Sequence, residues 1–279
     1  MTVPTRTTVL TRRLTAPNPG PMTLDGTNSW LVGAPGQEDA VVVDPGPADR
    51  GHLAALAAAG RTVLTLVTHR HGDHTEAVDD FHALTGAPVR AFLPQFCRGA
   101  GPLRDGETVE AAGTRIRVLH TPGHTSDSAC FHLPDDAPLA EDPGAAGPAA
   151  PAAPGAAADG AGPGSVLTGD TVLGRGTTVL DHPDGTLGDY LRSLHRLAVL
   201  GGALVLPGHA GVRENLEELC QELVEHRMER LAEIREAVRA LGRGATLEAI
   251  TARVYGDVPQ HVHPAARLSV GAQLAYLGF

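Results

Sequence analysis

The stretch Thr68-His69-Arg70-His71-Gly72-Asp73-His74 follows directly on Thr62-Val-Leu-Thr-Leu-Val-Thr68, a run whose length and β-branching predict a buried strand. Three histidines and an aspartate crowd into the six residues 69–74, a density that packing alone does not require. Neutral imidazole is a common ligand for zinc and related ions, and carboxylate is another. His69 and His71 stand two apart in an extended turn, so both rings can point at one ion. Asp73 and His74 can then face a second ion beside it.

Three later segments have the same form. Thr121-Pro-Gly-His124-Thr125, Thr168-Gly-Asp170-Thr171 and Pro207-Gly-His209 each follow an apolar run. Each places one ligand-type side chain on a turn made with glycine. A lone histidine after a strand is more often structural, so none of the three carries weight alone. Taken in order they extend the donor set to His69, His71, Asp73, His74, His124, Asp170 and His209. Loops at strand ends are where a rigid scaffold presents chemistry.

Outward from these motifs, Asn28-Ser-Trp-Leu-Val-Gly33 and Ala40-Val-Val-Val43 predict two antiparallel strands joined through Ala34-Pro-Gly36. Helices are expected over 48–59 and 75–84, and strands over 114–120, 128–133, 165–168 and 203–206. Further helices are expected over 186–200, 214–241, 247–254 and 264–277, the long one with Leu216, Leu219, Leu223, Met228, Leu231, Ile234, Val238 and Leu241 roughly along one face. Strands alternating with helices, then helices alone, predict an α/β sandwich over 1–213 with a helical appendage over 214–279. The segment 135–164 is almost entirely Ala, Pro, Gly and Asp, and is expected to be a disordered surface insert.

Composition narrows the function. All 22 basic residues are arginine, which with 34 Gly and 22 Pro reads as the codon bias of a G+C-rich genome. A formal net charge of −10 argues against a protein that wraps polyanions, because phosphate contacts need a basic surface. Residues 214–279 hold seven arginines against ten acids, a net of −3, so RNA binding by this tail is not expected. The three cysteines, Cys97, Cys130 and Cys220, form no disulfide framework and no metal motif, which fits a reducing cytoplasm. The N-terminus lacks an apolar signal region, and no run of about 18 apolar residues predicts a membrane span.

The pattern His-x-His-x-Asp-His, followed by His, Asp and His after separate later strands, resembles the metallo-β-lactamase superfamily. The segments Asn18-Pro-Gly-Pro-Met-Thr-Leu-Asp-Gly-Thr-Asn28, Thr121-Pro-Gly-His124-Thr125 and Gly169-Asp-Thr-Val-Leu-Gly-Arg-Gly-Thr-Thr178 are similar to its β-lactamase-like protein 2 branch. The resemblance covers roughly residues 15–279 outside the insert. It implies an αββα sandwich with the metals at one sheet edge and a small winged-helix-like C-terminal unit. It also implies that His69, His71 and His124 hold one divalent ion, zinc being expected. Asp73, His74 and His209 would hold a second, and Asp170 would bridge the two. Hydrolysis by a metal-bridging hydroxide would follow, with Asp73 and Asp170 as the catalytic carboxylates. The family's winged tail often continues past its last helix, whereas here the sequence stops at Gly278-Phe279, so an abbreviated wing is expected.

Four more residues are candidates for substrate contact. Asn28 either approaches the metals or caps a turn. Arg175 and Thr178 either line the cleft or belong to a tight connecting loop. His182 either donates a proton to the leaving group or is structural. His261 and His263 are expected at the surface. The favoured activity is hydrolysis of a small acyl substrate such as a thioester or lactone. A single-strand endoribonuclease is the alternative, and a mono-iron sulfur dioxygenase is disfavoured by the intact Asp73 and Asp170. A homodimer is compatible with the apolar stripe of the long helix.

Overall fold

The computed structural model describes residues 3–139, 162–242, 244–259 and 262–279. Among these, strands β1 (Thr5–Arg6), β2 (Thr11–Thr15), β3 (Asn28–Val32), β4 (Asp39–Val43), β5 (Arg61–Leu66) and β6 (Val89–Arg90) form one sheet in that order. Strands β7 (Thr108–Ala111), β8 (Thr114–His120), β9 (Ala129–Leu133), β10 (Ser165–Gly169) and β11 (Leu204–Pro207) form the other, in the order β11-β10-β9-β8-β7. The pairs β4–β5, β5–β6 and β10–β11 are parallel and the remaining pairs antiparallel.

The apolar runs seen in the sequence are continuous because the central strands are covered on both faces. Trp30, Val32, Val41, Val43, Leu64 and Leu66 of the first sheet meet Ile116, Val118, Phe131, Leu133, Leu167 and Leu206 of the second. The alternate residues Leu31, Ala40 and Val42 face outward and pack on α1 (Arg50–Ala58) and α3 (Val78–Thr85) through Leu53, Leu56 and Phe81. On the far side Leu119, Cys130, Val166 and Val205 pack on α4 (Leu187–Ala198) and α5 (Leu216–Leu241). The layers are therefore helix, sheet, sheet, helix, as the resemblance implied. The far half of α5, with Ile234 and Ala237, forms a second small core with Ile250 of α6 (Leu247–Val254) and Val270 of α7 (His263–Leu277). Among the described residues no strand follows β11, so the C-terminal unit is built from helices.

The helix expected over 75–84 starts earlier and is broken. α2 (Gly72–Thr75) takes up the metal-type motif itself, and α3 begins at Val78. The break falls at Ala77, whose N–H donates to Gly46 O in a neighbouring loop, 3.2 Å, in place of a helical partner. Strands β1, β2, β6 and β7 were not expected, β2 because Arg12 and Arg13 hide its alternation. His263 is half-buried, with Nε2 3.1 Å from Val258 O, and His261 lies outside the described residues.

The insert boundary also needs correction. Residues 140–161 lie outside the described residues, whereas 135–139 have a defined place, exposed except at Asp136. Asp136 is buried, accepting from Thr8 Oγ1 at 2.7 Å, Leu10 N at 2.9 Å and Ser165 Oγ at 2.5 Å. One carboxylate thus ties the β1–β2 turn to the start of β10. Asp136→Ala strands these buried donors and is expected to cost roughly 2–4 kcal/mol. Thermal unfolding should fall by about 5–10 °C; an unchanged midpoint would show that the tie is dispensable.

Candidate metal centre

Every donor named from the sequence sits just past a strand end, and all lie at one end of the two sheets. The β5–α2 turn brings His69 and His71 from the first sheet, and α2 brings Asp73 and His74. The β8–β9 turn brings His124, the end of β10 brings Asp170, and the end of β11 brings His209. Their ligand atoms fall into overlapping groups, His69/His71/His124, His69/His74/Asp170 and Asp73/His74/His209, with the atoms of each group within 4.8 Å of one another.

Glycine lets these loops close. A Cβ at Gly208 would lie 2.5 Å from Asp170 Oδ1 and 2.9 Å from His74 Cε1, so any side chain there would occupy the donor pocket. Gly123, at φ +142°, packs onto the first turn of α4, where a Cβ would sit 2.4 Å from Tyr190 Cα. This approach seats the turn that carries His124.

Each imidazole has one nitrogen tied outward and the other aimed inward. His69 Nδ1 lies 3.0 Å from Thr68 Oγ1, and Thr68 Oγ1 itself donates to Asp44 Oδ2 at 2.7 Å. His74 Nδ1 donates to Asp44 Oδ2 at 2.8 Å, and His124 Nδ1 to Val179 O at 2.6 Å. His209 Nδ1 donates to Gly26 O at 3.2 Å, and His71 Nε2 to Asp181 Oδ2 at 3.3 Å. In each neutral ring the inward nitrogen is then left with a lone pair. His71 Nδ1 lies 3.1 Å from His69 Nε2 and 3.0 Å from His124 Nε2, while His74 Nε2 lies 3.3 Å from His209 Nε2. Lone pairs facing at such distances repel unless a cation or a proton lies between them.

Asp170 completes the arrangement. Its Oδ2 is 3.3 Å from His209 Nε2 and 3.8 Å from His124 Nε2, and its Oδ1 is 3.5 Å from His74 Nε2. Asp170 Oδ1 is buried and has no hydrogen-bond partner. A buried carboxylate oxygen without a donor, ringed by inward imidazole nitrogens, is the chemistry of a divalent-cation site. The residues present therefore fit metal ions.

The electrostatics divide the site in two. Burial pushes His69 well down and His124 down to about 4, so both are neutral and ready to ligate. Burial opposes a charge on His74 too, but Asp73, Asp44 and Asp170 outweigh it and raise its pKa well above the usual value. At His209 burial is likewise outweighed by Asp170 and Asp73, which raise it to about 9. Burial disfavours ionised Asp73 and Asp170, yet the neighbouring imidazoles hold both well below the ordinary carboxylate range. Protons thus balance the carboxylates wherever no cation does.

The four candidates for substrate contact have the following surroundings. Asn28 is buried, its Nδ2 donating to Pro207 O at 3.0 Å and Ala210 O at 2.9 Å while its Oδ1 accepts from Thr15 at 2.9 Å. It clasps the His209 turn and has no polar atom left for a substrate. Thr178 is buried behind His124, with Oγ1 3.1 Å from Nδ1, so it supports a donor instead of lining a cleft. Arg175 lies exposed, paired with Asp25 at 2.9 Å. His182 packs against α7, where a Cβ on Gly271 would lie 3.0 Å from its Cδ2, and its Nδ1 has no partner.

Sequence reading passed over Asp44, Asp181 and Thr27. Asp44 receives Thr68 N, Thr68 Oγ1 and His74 Nδ1, and so orients two donors at once. Asp181 pairs with both Arg70 and His71. Thr27 Oγ1 donates to Asp73 Oδ2 at 2.8 Å. A signal for Asp44 was present: an acid at the end of a buried strand, before Pro-Gly, repeats the form of Asp170.

Two sheets between helices, with histidines and carboxylates gathered at one end, define a metallo-hydrolase. The metallo-beta-lactamase superfamily model matches residues 22–137, and the beta-lactamase associated winged helix domain matches 246–277. An atrochrysone carboxyl ACP thioesterase of Aspergillus chevalieri is 32% identical over 268 residues, 90% of this chain and 74% of that protein. The beta-lactamase-like protein 2 homolog of Caenorhabditis elegans is 28% identical over 271 residues, 91% of this chain and 79% of that protein. A metallo-beta-lactamase family protein from Thermus thermophilus superposes with a TM-score of 0.72 at 25% identity, covering 96% of this chain and 93% of that one. The chain belongs to the metallo-beta-lactamase superfamily.

Two outcomes test the centre. Asp44→Asn keeps a residue type that tolerates the backbone φ of 55° but sets an amide donor against Thr68 or His74. Zinc affinity measured by chelator competition should weaken about 10- to 100-fold; an unchanged affinity would remove Asp44 from the site. Because the neighbouring carboxylates raise the pKa of both His74 and His209, loading with metal should release protons near neutral pH. Affinity should therefore rise as pH climbs toward 9, the value about which His209 titrates. Calorimetry in buffers of different ionisation enthalpy reads the count, and no release at about pH 7.5 would contradict the charge assignment.

Proposed function

We propose that this protein is a two-zinc hydrolase of activated acyl substrates, acting on thioesters. The observation that carries the two-ion reading is Asp170, whose partnerless buried Oδ1 and whose Oδ2 together reach toward both histidine groups. His69, His71 and His124 would hold one ion and Asp73, His74 and His209 the other, with Asp170 between them. When bound, such ions supply Lewis acidity toward the acyl carbonyl and make water nucleophilic at neutral pH.

The chain's own groups set the rest. Asp73 is the more open of the two carboxylates, its side chain 26% exposed against 11% for Asp170. It stays ionised, so it accepts a hydrogen bond and orients water at the mouth of the site. Thr27 Oγ1 fixes its Oδ2, the oxygen that also faces His74 and His209. The thiolate is a good leaving group, so the reaction needs no strong acid, and His182, packed against α7, is not required for one. The thioesterase named among the relatives supports an acyl thioester over a phosphodiester, as does the net charge of −10.

Zinc-loaded protein should release free thiol from short acyl thioesters, followed with a thiol-reactive chromophore. Asp170→Asn should lower kcat/KM by roughly 10³-fold with the circular dichroism unchanged. Cleavage of single-stranded RNA without thioester turnover would overturn the acyl assignment, and a zinc content that never passes one per chain would overturn the two-ion assignment.

A further inference from the structure

Arg227 lies on α5, beyond the last donor in the chain, and is only 2% exposed. Among the described residues no carboxylate pairs with it. Its guanidinium sits over the ring of Tyr190, 5.1 Å from the centroid, and Nη2 donates to Thr178 O at 2.5 Å. Burying a guanidinium without a carboxylate carries a large desolvation penalty, and leucine or methionine would fill the same volume without it. The charge must therefore accomplish something that packing does not.

What it holds is the turn that orients His124. Thr178 Oγ1 is 3.1 Å from His124 Nδ1, and the next residue's carbonyl, Val179 O, accepts from the same nitrogen at 2.6 Å. Thr178 O belongs to an irregular segment with no strand beside it, and a buried carbonyl needs a donor. A charge-assisted bond from Arg227 supplies that donor and stops the 178–179 peptide from rotating. The same segment runs on through Leu180, whose N–H approaches Ser269 Oγ of α7 at 3.5 Å, to Asp181, the partner of His71. The C-terminal helices thus grip the segment that lies behind two of the three histidines of one group. Among the described residues, Thr27, Asp44 and Gly26, which fix Asp73, His74 and His209, make no hydrogen bond to α5.

We infer that Arg227 is a positioning residue for the three-histidine group, fixing His124 with its Nε2 lone pair turned toward His69 and His71 while leaving the other group untouched. This inference rests on the two-ion reading above. The test uses full-length protein in two backgrounds, His209→Ala to isolate the three-histidine group and His71→Ala to isolate the other, with zinc affinity read by chelator competition. Arg227→Met should weaken the first about 10- to 100-fold and the second less than about 3-fold, and should shift the visible spectrum of the cobalt-loaded first group. Arg227→Lys, which retains a charged donor, should recover part of the loss. Ile234→Ala, which damages the same helix elsewhere, should lower the melting temperature and leave both affinities in place. Equal weakening in both backgrounds, or none in either, would overturn the inference. If the Met variant does not fold, the Lys variant decides: a one-sided loss of a few-fold supports the role and any other pattern overturns it. Failure of the unmodified Arg227 protein to bind zinc in the His209→Ala background would overturn the two-ion reading together with the inference.

Discussion

Seven donors can meet only because two separate sheets are locked together at one end. The first sheet delivers the His69–His74 turn and the second delivers His124, Asp170 and His209, so the site exists only while the sheets keep their relative position. Close polar contacts across the join hold it. Ala129 N donates to Thr68 O at 2.8 Å, and Asn28 N donates to Gly208 O at 2.7 Å. The Trp30 indole N–H reaches Pro207 O at 3.1 Å, beside the Asn28 amide. These bonds are directional where the apolar core between the sheets is not, and they sit at the strand ends where a slip would matter most. The aliphatic core supplies the bulk of the driving force, while this ring of bonds fixes the register.

A second constraint follows from crowding so many acceptors in a dry place. Imidazole lone pairs and carboxylate oxygens turned toward one another are unfavourable unless positive charge lies among them. The protein accepts this arrangement because each ring is held from outside by Val179 O, Gly26 O, Thr68, Asp44 or Asp181. The fold therefore fixes the donors before any ion arrives, and less ordering is left to be done on binding. The two groups differ in charge preference: burial lowers the pKa of His124, while Asp170 and Asp73 raise that of His209, which must give up its proton to an incoming ion.

Much of this was legible in the sequence, and the reasons are specific. Ligand residues on glycine turns after apolar runs are conspicuous because strand ends, glycine and histidine or aspartate coincide four times over. The central strands were readable because both faces are covered, which makes them uniformly apolar. The edge strand β2 was not, since Arg12 and Arg13 interrupt its pattern; Arg13 lies there because its guanidinium reaches Ala210 O at 3.1 Å. The residues behind the donors were harder still. Asp44, Asp181 and Thr178 each lie tens of positions along the chain from at least one group they hold, and nothing local marks such a pairing. Asn28, Thr178 and His182 attracted attention by their neighbours along the chain, while their contacts are decided by neighbours in space.

The same distinction bears on how the chain divides. Motif content suggests a catalytic unit ending near 213 and a helical unit after it. Packing runs across that division: Leu216, Leu219 and Leu223 in the first half of α5 belong to the core beneath the second sheet, while Ile234 and Ala237 in its second half belong to the core shared with α6 and α7. Arg227 stands between Leu223 and Leu231, both in the first of these cores, where the helix passes behind Thr178. One continuous helix spanning two cores transmits position rigidly, because a packed helix shifts as a body and does not bend at one residue without a cause such as proline or glycine. The interior of α5 contains neither. The helical unit contributes none of the seven donors, yet through Arg227 of α5 and Ser269 of α7 it touches the segment behind His124.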